Sequence, residues 1–76
     1  MRKQDNTLAH RVARVVKELR EESSVSQEEV YNDINIHIAR IESTAPNLTL
    51  NTLETLTKYF NIKLSDFFQR VENIRP

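Results

Sequence analysis

A chain of 76 residues that contains no glycine lacks the one residue that enters left-handed backbone without a steric penalty. Every connection that needs such a residue must use asparagine or another polar substitute, and Asn32, Asn35, Asn47 and Asn61 are the candidates. Cysteine is absent too, so neither disulfides nor a thiolate metal site can support the fold, and helix packing or self-association must do so. A chain of this size buries only roughly 60% of the surface its unfolded form exposes, which allows one domain with one small core. We read residues 1–76 as that domain, with a core over about 8–71 and short polar tails at Met1–Asn6 and Glu72–Pro76.

Eleven Lys and Arg balance eleven Asp and Glu, which removes the general pull toward phosphates that a basic protein has. Net charge therefore neither predicts nor excludes nucleic acid. No apolar run approaches the ~18 residues of a spanning helix, and "MRKQDNTLAH" lacks the apolar stretch of a secretory signal. The expectation is a cytoplasmic protein with no membrane partner and no evident small-molecule substrate.

Helical periodicity organises the chain. Leu8, Val12, Val15, Val16 and Leu19 share one face, with Arg11, Arg14, Lys17, Glu18 and Glu21 elsewhere. Asp5, Asn6 or Thr7 caps the start of this helix, and Ser23 and Ser24 should stop it. "VSQEEV" then contains a capping box between Ser26 and Glu29 and a hydrophobic staple between Val25 and Val30. "NLTLNTLETLTKYFN" repeats the arrangement, with Thr49 as cap, Leu48 stapled to Leu53, and Leu50, Leu53, Leu56 and Phe60 on one face before Asn61 ends the helix. Leu64 and the cap candidate Ser65 introduce a last helix carrying Phe67, Phe68 and Val71. The one segment that alternates like a strand, "INIHIARI", also fits helical spacing through Ile34, Ile38 and Ile41. The fold class is all-α, about five short helices in two layers.

"SQEEV" and "ARIE", followed by "LTLNTLETLTKYFNIKLSDFF", resemble the Cro and repressor type of helix-turn-helix domain, the Xre family, over roughly residues 8 to 68. The resemblance implies a compact five-helix repressor-like domain that binds double-stranded DNA as a homodimer. By that likeness the third helix lies in the major groove and Gln27, at the start of the second, meets a phosphate. It also implies that Glu42 pairs with Arg20 and clamps the third helix to the first.

One stretch departs from the family pattern. Between the apolar residue of the second helix and Ile41–Glu42, this chain is about three residues short, in the region that forms the turn and the start of the reading helix. Two registers absorb the loss. In one, the second helix stops at Tyr31, Asn32 takes the left-handed position and Asp33 caps a helix from Ile34, which turns Ile36 outward. In the other, the second helix continues to about Asp33, Asn35 is left-handed, Ile36 is buried, and the third helix starts near His37. Burial at ~0.8 kcal/mol per methylene favours the second over a cap worth only ~1 kcal/mol.

Both registers expose Ala39 and Arg40 and leave Asn35 and His37 at the rim, so these four are the base-facing candidates. Arg40 can donate bidentately to guanine, Asn35 can pair with adenine, and Ala39 can meet a thymine methyl. Between Ser26 and Thr49, however, Glu28, Glu29, Asp33 and Glu42 oppose Arg40 alone, a formal charge of −3 with histidine neutral. Phosphate contacts in this segment must come mainly from amides, Gln27, Asn47 and hydroxyls such as Ser43, Thr44 and Thr49. Compensating charge would come from Arg2, Lys3, Arg11, Arg14 and Lys17, or from a dimer.

Other chemistry has little support. His10 and His37 stand without a nucleophile or carboxylate constellation, two histidines give no recognisable metal spacing, and no glycine loop can cradle a nucleotide phosphate. No enzyme, cofactor or metal is expected. The rival reading is a helix-turn-helix scaffold that has lost DNA and binds protein through Tyr59, Phe67 and Phe68.

Overall fold

The computed structural model describes residues 7–44 and 48–74. It contains five helices, α1 (Leu8–Glu22), α2 (Gln27–Ile34), α3 (Ile38–Thr44), α4 (Leu50–Tyr59) and α5 (Leu64–Asn73), and no strand among the described residues. Helix α1 is the central element and packs against both α3 and α5, while α2 packs on α3 and α4 on α5. The core is continuous across these contacts. Val12, Val15, Val16 and Leu19 from α1 meet Val30, Ile38, Ile41, Leu53, Leu56, Phe67 and Val71.

Thr7, rather than Asp5 or Asn6, caps α1, its side chain accepting from the His10 amide. Ser26 and Glu29 form the expected capping box on α2. Thr49 accepts from the Thr52 amide at the start of α4. The last cap departs from expectation: Lys63, not Ser65, occupies the N-cap of α5 and makes no side-chain hydrogen bond there. Leu64 and Ser65 already lie inside the first turn, and Asp66 supplies the negative charge that the exposed amides favour. Glu72 and Asn73 extend α5 rather than belonging to a tail.

Among the described residues, three take the left-handed backbone that glycine would favour, Ser24 (φ 55°), Asn35 (φ 59°) and Asn61 (φ 57°). Asn32 is helical instead, and Asn47 lies outside the described residues. Ser24 and Asn61 close the same motif. The Ser24 N–H donates to the Glu21 carbonyl at 3.0 Å and Val25 N–H to Arg20 at 3.2 Å; Asn61 N–H donates to Lys58 at 3.1 Å and Ile62 N–H to Thr57 at 2.9 Å. These paired bonds satisfy the last carbonyls of α1 and α4, and Val25 and Ile62 then turn back onto the core.

Three apolar expectations fail at the edge of the core. Leu8 is 55% exposed, Leu50 83% and Phe68 39%, although sequence spacing groups them with buried neighbours. Leu50 sits at the first position of α4, past the rim of the core, where Leu48 fills the staple position. Phe67 takes the interior instead of Phe68 and lies edge-on to it, ring centroids 5.3 Å apart.

Candidate nucleic-acid interface

The turn between α2 and α3 adopts the second of the two registers. Helix α2 ends at Ile34, Asn35 is left-handed, and its N–H donates to the Tyr31 carbonyl at 2.8 Å. Ile36 packs partly buried against the core, Ile38 and Ile41 are buried, and Ile34 is partly buried. Helix α3 begins one residue later than expected, at Ile38. Its seven residues make about two turns at 3.6 residues per turn.

The clamp that holds α3 is charged and nearly dry. The Arg20 Nε–H donates to one Glu42 carboxylate oxygen and Nη2–H to the other at 3.2 Å, while Nη1–H donates to the Val25 carbonyl at 2.9 Å. The two side chains are 14% and 4% exposed. The hydrogen bond to Glu42 holds the Arg20 guanidinium above its ordinary range, against an opposing push from burial. This bidentate fork is the geometry in which an arginine–carboxylate pair fixes orientation as well as charge.

Gln27 joins the same network. Its side-chain amide donates to Glu42 at 2.9 Å, a bond that sequence reasoning did not anticipate, although the residue stays exposed at the start of α2. One amide hydrogen and the amide oxygen remain outside that bond.

Ala39, Arg40 and Ser43 lie on the outward face of α3, with Asn35 and His37 exposed at its entrance. Among the described residues, no carboxylate pairs with Arg40. The Ser43 hydroxyl donates to the Arg40 carbonyl at 2.8 Å, so only its lone pairs are open in this rotamer. Asn35, Ile36, His37, Arg40, Ile41, Leu48 and Thr52 line a shallow groove of about 370 Å³. It brings three of the four base-facing candidates to one place. Asn47 and the side chain of Thr44 lie outside what is described.

Two contacts around the turn have no counterpart in the sequence reading. The Tyr31 and His37 rings lie 4.5 Å apart, tilted by 30°, and the Tyr59 hydroxyl donates to Asp33 at 2.6 Å. The second bond pushes the Tyr59 hydroxyl up to about 12, with desolvation adding to it. Neither spacing forms a local motif, since each pair spans a turn or two helices.

The compensating cations are less free than expected. Arg14 pairs with Glu18 on its own helix at 3.3 Å. Arg11 is partly buried, and its Nε has no hydrogen-bond partner among the described residues. Lys17 is exposed, and Arg2 and Lys3 lie outside the described residues.

Five helices joined in this order around a left-handed turn and an arginine-clamped α3 constitute a helix-turn-helix regulator fold. The chain is similar to the restriction-modification controller protein C.Esp1396I. One crystal structure of that protein, the trigonal form of an arginine-to-alanine mutant, has a TM-score of 0.80 at 29% sequence identity and covers 86% of this chain and 91% of its own. A second, a threonine-to-alanine mutant, has a TM-score of 0.79 at the same identity and coverage. No family model and no curated relative matches. The structural neighbours are controller proteins, a regulatory class and not enzymes. Among the described residues, no helix is long and apolar enough to cross a membrane, and no three acidic, histidine or cysteine side chains gather as a metal cluster.

Proposed function

We propose that this chain is a sequence-specific duplex DNA-binding transcriptional regulator of the Xre type, acting in the cytoplasm as a homodimer. Helix α3 enters the major groove, and the N-terminus of α2 with Gln27 rests on the backbone. Arg40 is the observation that carries the reading: it is exposed on the outward face of α3, unpaired by any described carboxylate, on a helix whose inner face is clamped through Glu42. An arginine so placed is suited to a guanine edge. Asn35, His37 and Ala39 flank it, and Ser43 and Asn47 are assigned to phosphates. The similarity to a controller protein supports the same reading.

Dimerisation supplies what one copy lacks. The segment around α3 carries a formal charge of −3, so one domain gains little from phosphate neutralisation, and two half-sites double a weak contact. Leu50, Leu64 and Phe68 are large apolar side chains left exposed on α4 and α5, which suits a contact built on α5. The same exposed surface, with the short α3, favours the second reading, a protein-binding module that has lost DNA.

Binding to promoter duplexes across a salt series separates the two. A specific complex whose affinity falls steeply with salt supports DNA reading, and no complex at low salt sinks it. Arg40→Ala should relax preference at one base position and cost roughly 1–3 kcal/mol there. A uniform loss over all sequences would make Arg40 a phosphate contact.

A further inference from the structure

We propose that Tyr31 is a positioning residue for DNA recognition, acting through His37, and that the two rings replace the reading surface lost with the shortened turn. The inference rests on the DNA-binding reading above and adds to it a residue on α2 that the likeness to repressors does not mark.

A seven-residue α3 offers few polar readers. Ala39 has no polar side-chain atom, and the Ser43 hydroxyl proton is engaged by the Arg40 carbonyl. His37 is a further polar side chain, and it lines the same groove as Arg40 and Asn35. It stands outside the regular helix, where an exposed side chain ordinarily samples several rotamers and loses that freedom on binding.

Tyr31 removes part of that freedom beforehand. Its ring lies against the imidazole at 4.5 Å between centroids and 30° between planes, within the range in which aromatic pairs attract. Its carbonyl accepts the Asn35 N–H at 2.8 Å and so holds the left-handed turn that carries His37. The His37 carbonyl in turn accepts the Arg40 N–H at 3.2 Å. The His37 backbone is thus held through α3 and its ring by Tyr31.

Tyr31 is itself 41% exposed and belongs to no buried cluster. Core packing does not explain an aromatic residue there, and its replacement should leave the fold intact.

The test uses the full chain and a duplex selected by the wild-type protein from a randomised library. Tyr31→Ala should weaken binding to that duplex about two- to tenfold, the range an aromatic pair is worth. His37→Ala should cost a similar factor, and the double variant little more than either single change. Tyr31→Phe should bind like the wild type. In the free protein, the His37 ring protons should move downfield in Tyr31→Ala and stay in place in Tyr31→Phe, a readout that requires no DNA. Additive losses, an unchanged His37 signal in Tyr31→Ala, or no loss from His37→Ala would overturn the assignment. Failure of the wild type to select any duplex would sink the DNA reading instead, while the ring-proton shifts would still report whether Tyr31 orients His37.

Discussion

Two arginines tie helices to α1, and they do so in opposite surroundings. Arg20 reaches Glu42 on α3 with both side chains nearly excluded from water, at 14% and 4% exposure. Arg70 on α5 reaches Glu22 at 2.6 Å and Glu18 at 3.3 Å, across a surface where the three side chains are 33%, 59% and 38% exposed. The α5 side scarcely needs its clamp, because Phe67 and Val71 are fully buried against the rest of the core. The α3 side buries the same number of apolar side chains, Ile38 and Ile41, on a helix of seven residues, and adds the desolvated pair to them. Apolar burial therefore anchors both helices, and a desolvated ion pair additionally fixes the orientation of α3.

The largest expected effect tests the scaffold. Phe67→Ala leaves a cavity at the junction of α5 and α1 and should cost roughly 3–5 kcal/mol, a large part of the stability of a chain this small. Urea unfolding would register it as a drop in the midpoint at nearly constant slope. A loss under 1 kcal/mol would mean that the α5 side is not the main store of stability.

Glu42→Gln comes next and tests the other half. Removing one partner of a buried pair strands the second charge, at a cost of roughly 3 kcal/mol after allowing for the partial exposure of Arg20. It also replaces the carboxylate that accepts from Gln27 with a neutral amide, which weakens that bond. The expected signature is a lower unfolding midpoint together with loss of DNA binding under conditions where the variant is still folded. Phe67→Ala should lower stability while leaving the affinity of its folded fraction near that of wild type, and equal effects of the two changes on affinity would break the comparison.

The scaffold was largely legible from sequence, since caps, staples and the five apolar faces are local patterns. The Ser26–Glu29 capping box and the Thr49 cap occur as read. The register at the turn was legible too, because burying Ile36 outweighs a cap at Asp33. The exposed position of Leu50 was not, since periodicity gives the direction of a side chain but not where the core ends. The Tyr31–His37 stack and the Gln27–Glu42 and Tyr59–Asp33 bonds were hidden for another reason: each depends on how two helices approach, which no local spacing encodes.

The absence of glycine gives a smaller effect of predictable sign. Ser24, at φ 55°, is the least suited of the three left-handed residues, and Ser24→Gly should stabilise the chain by up to about 1 kcal/mol. Asn35→Ala should cost about 1 kcal/mol, because alanine has neither glycine's freedom nor asparagine's tolerance of that region. Thermal unfolding would resolve both. A destabilised Ser24→Gly would mean that the serine side chain contributes more than its backbone strain costs.

The smallest effect belongs to the exposed clamp. The Arg70 hydrogen bond holds the Glu22 carboxyl below its ordinary range, so the folded state releases that proton more readily than the unfolded one. Its contribution to stability is present above the unfolded carboxylate value and is lost as pH falls through the lower, folded value. Because these groups face solvent, salt should screen the contribution, as it does for exposed pairs in general. Glu22→Gln should therefore flatten the acid limb of stability against pH only slightly, and the difference from wild type should vanish in molar salt. A large, salt-insensitive loss would mean that Arg70 works as Arg20 does, and the contrast between the two halves would fall.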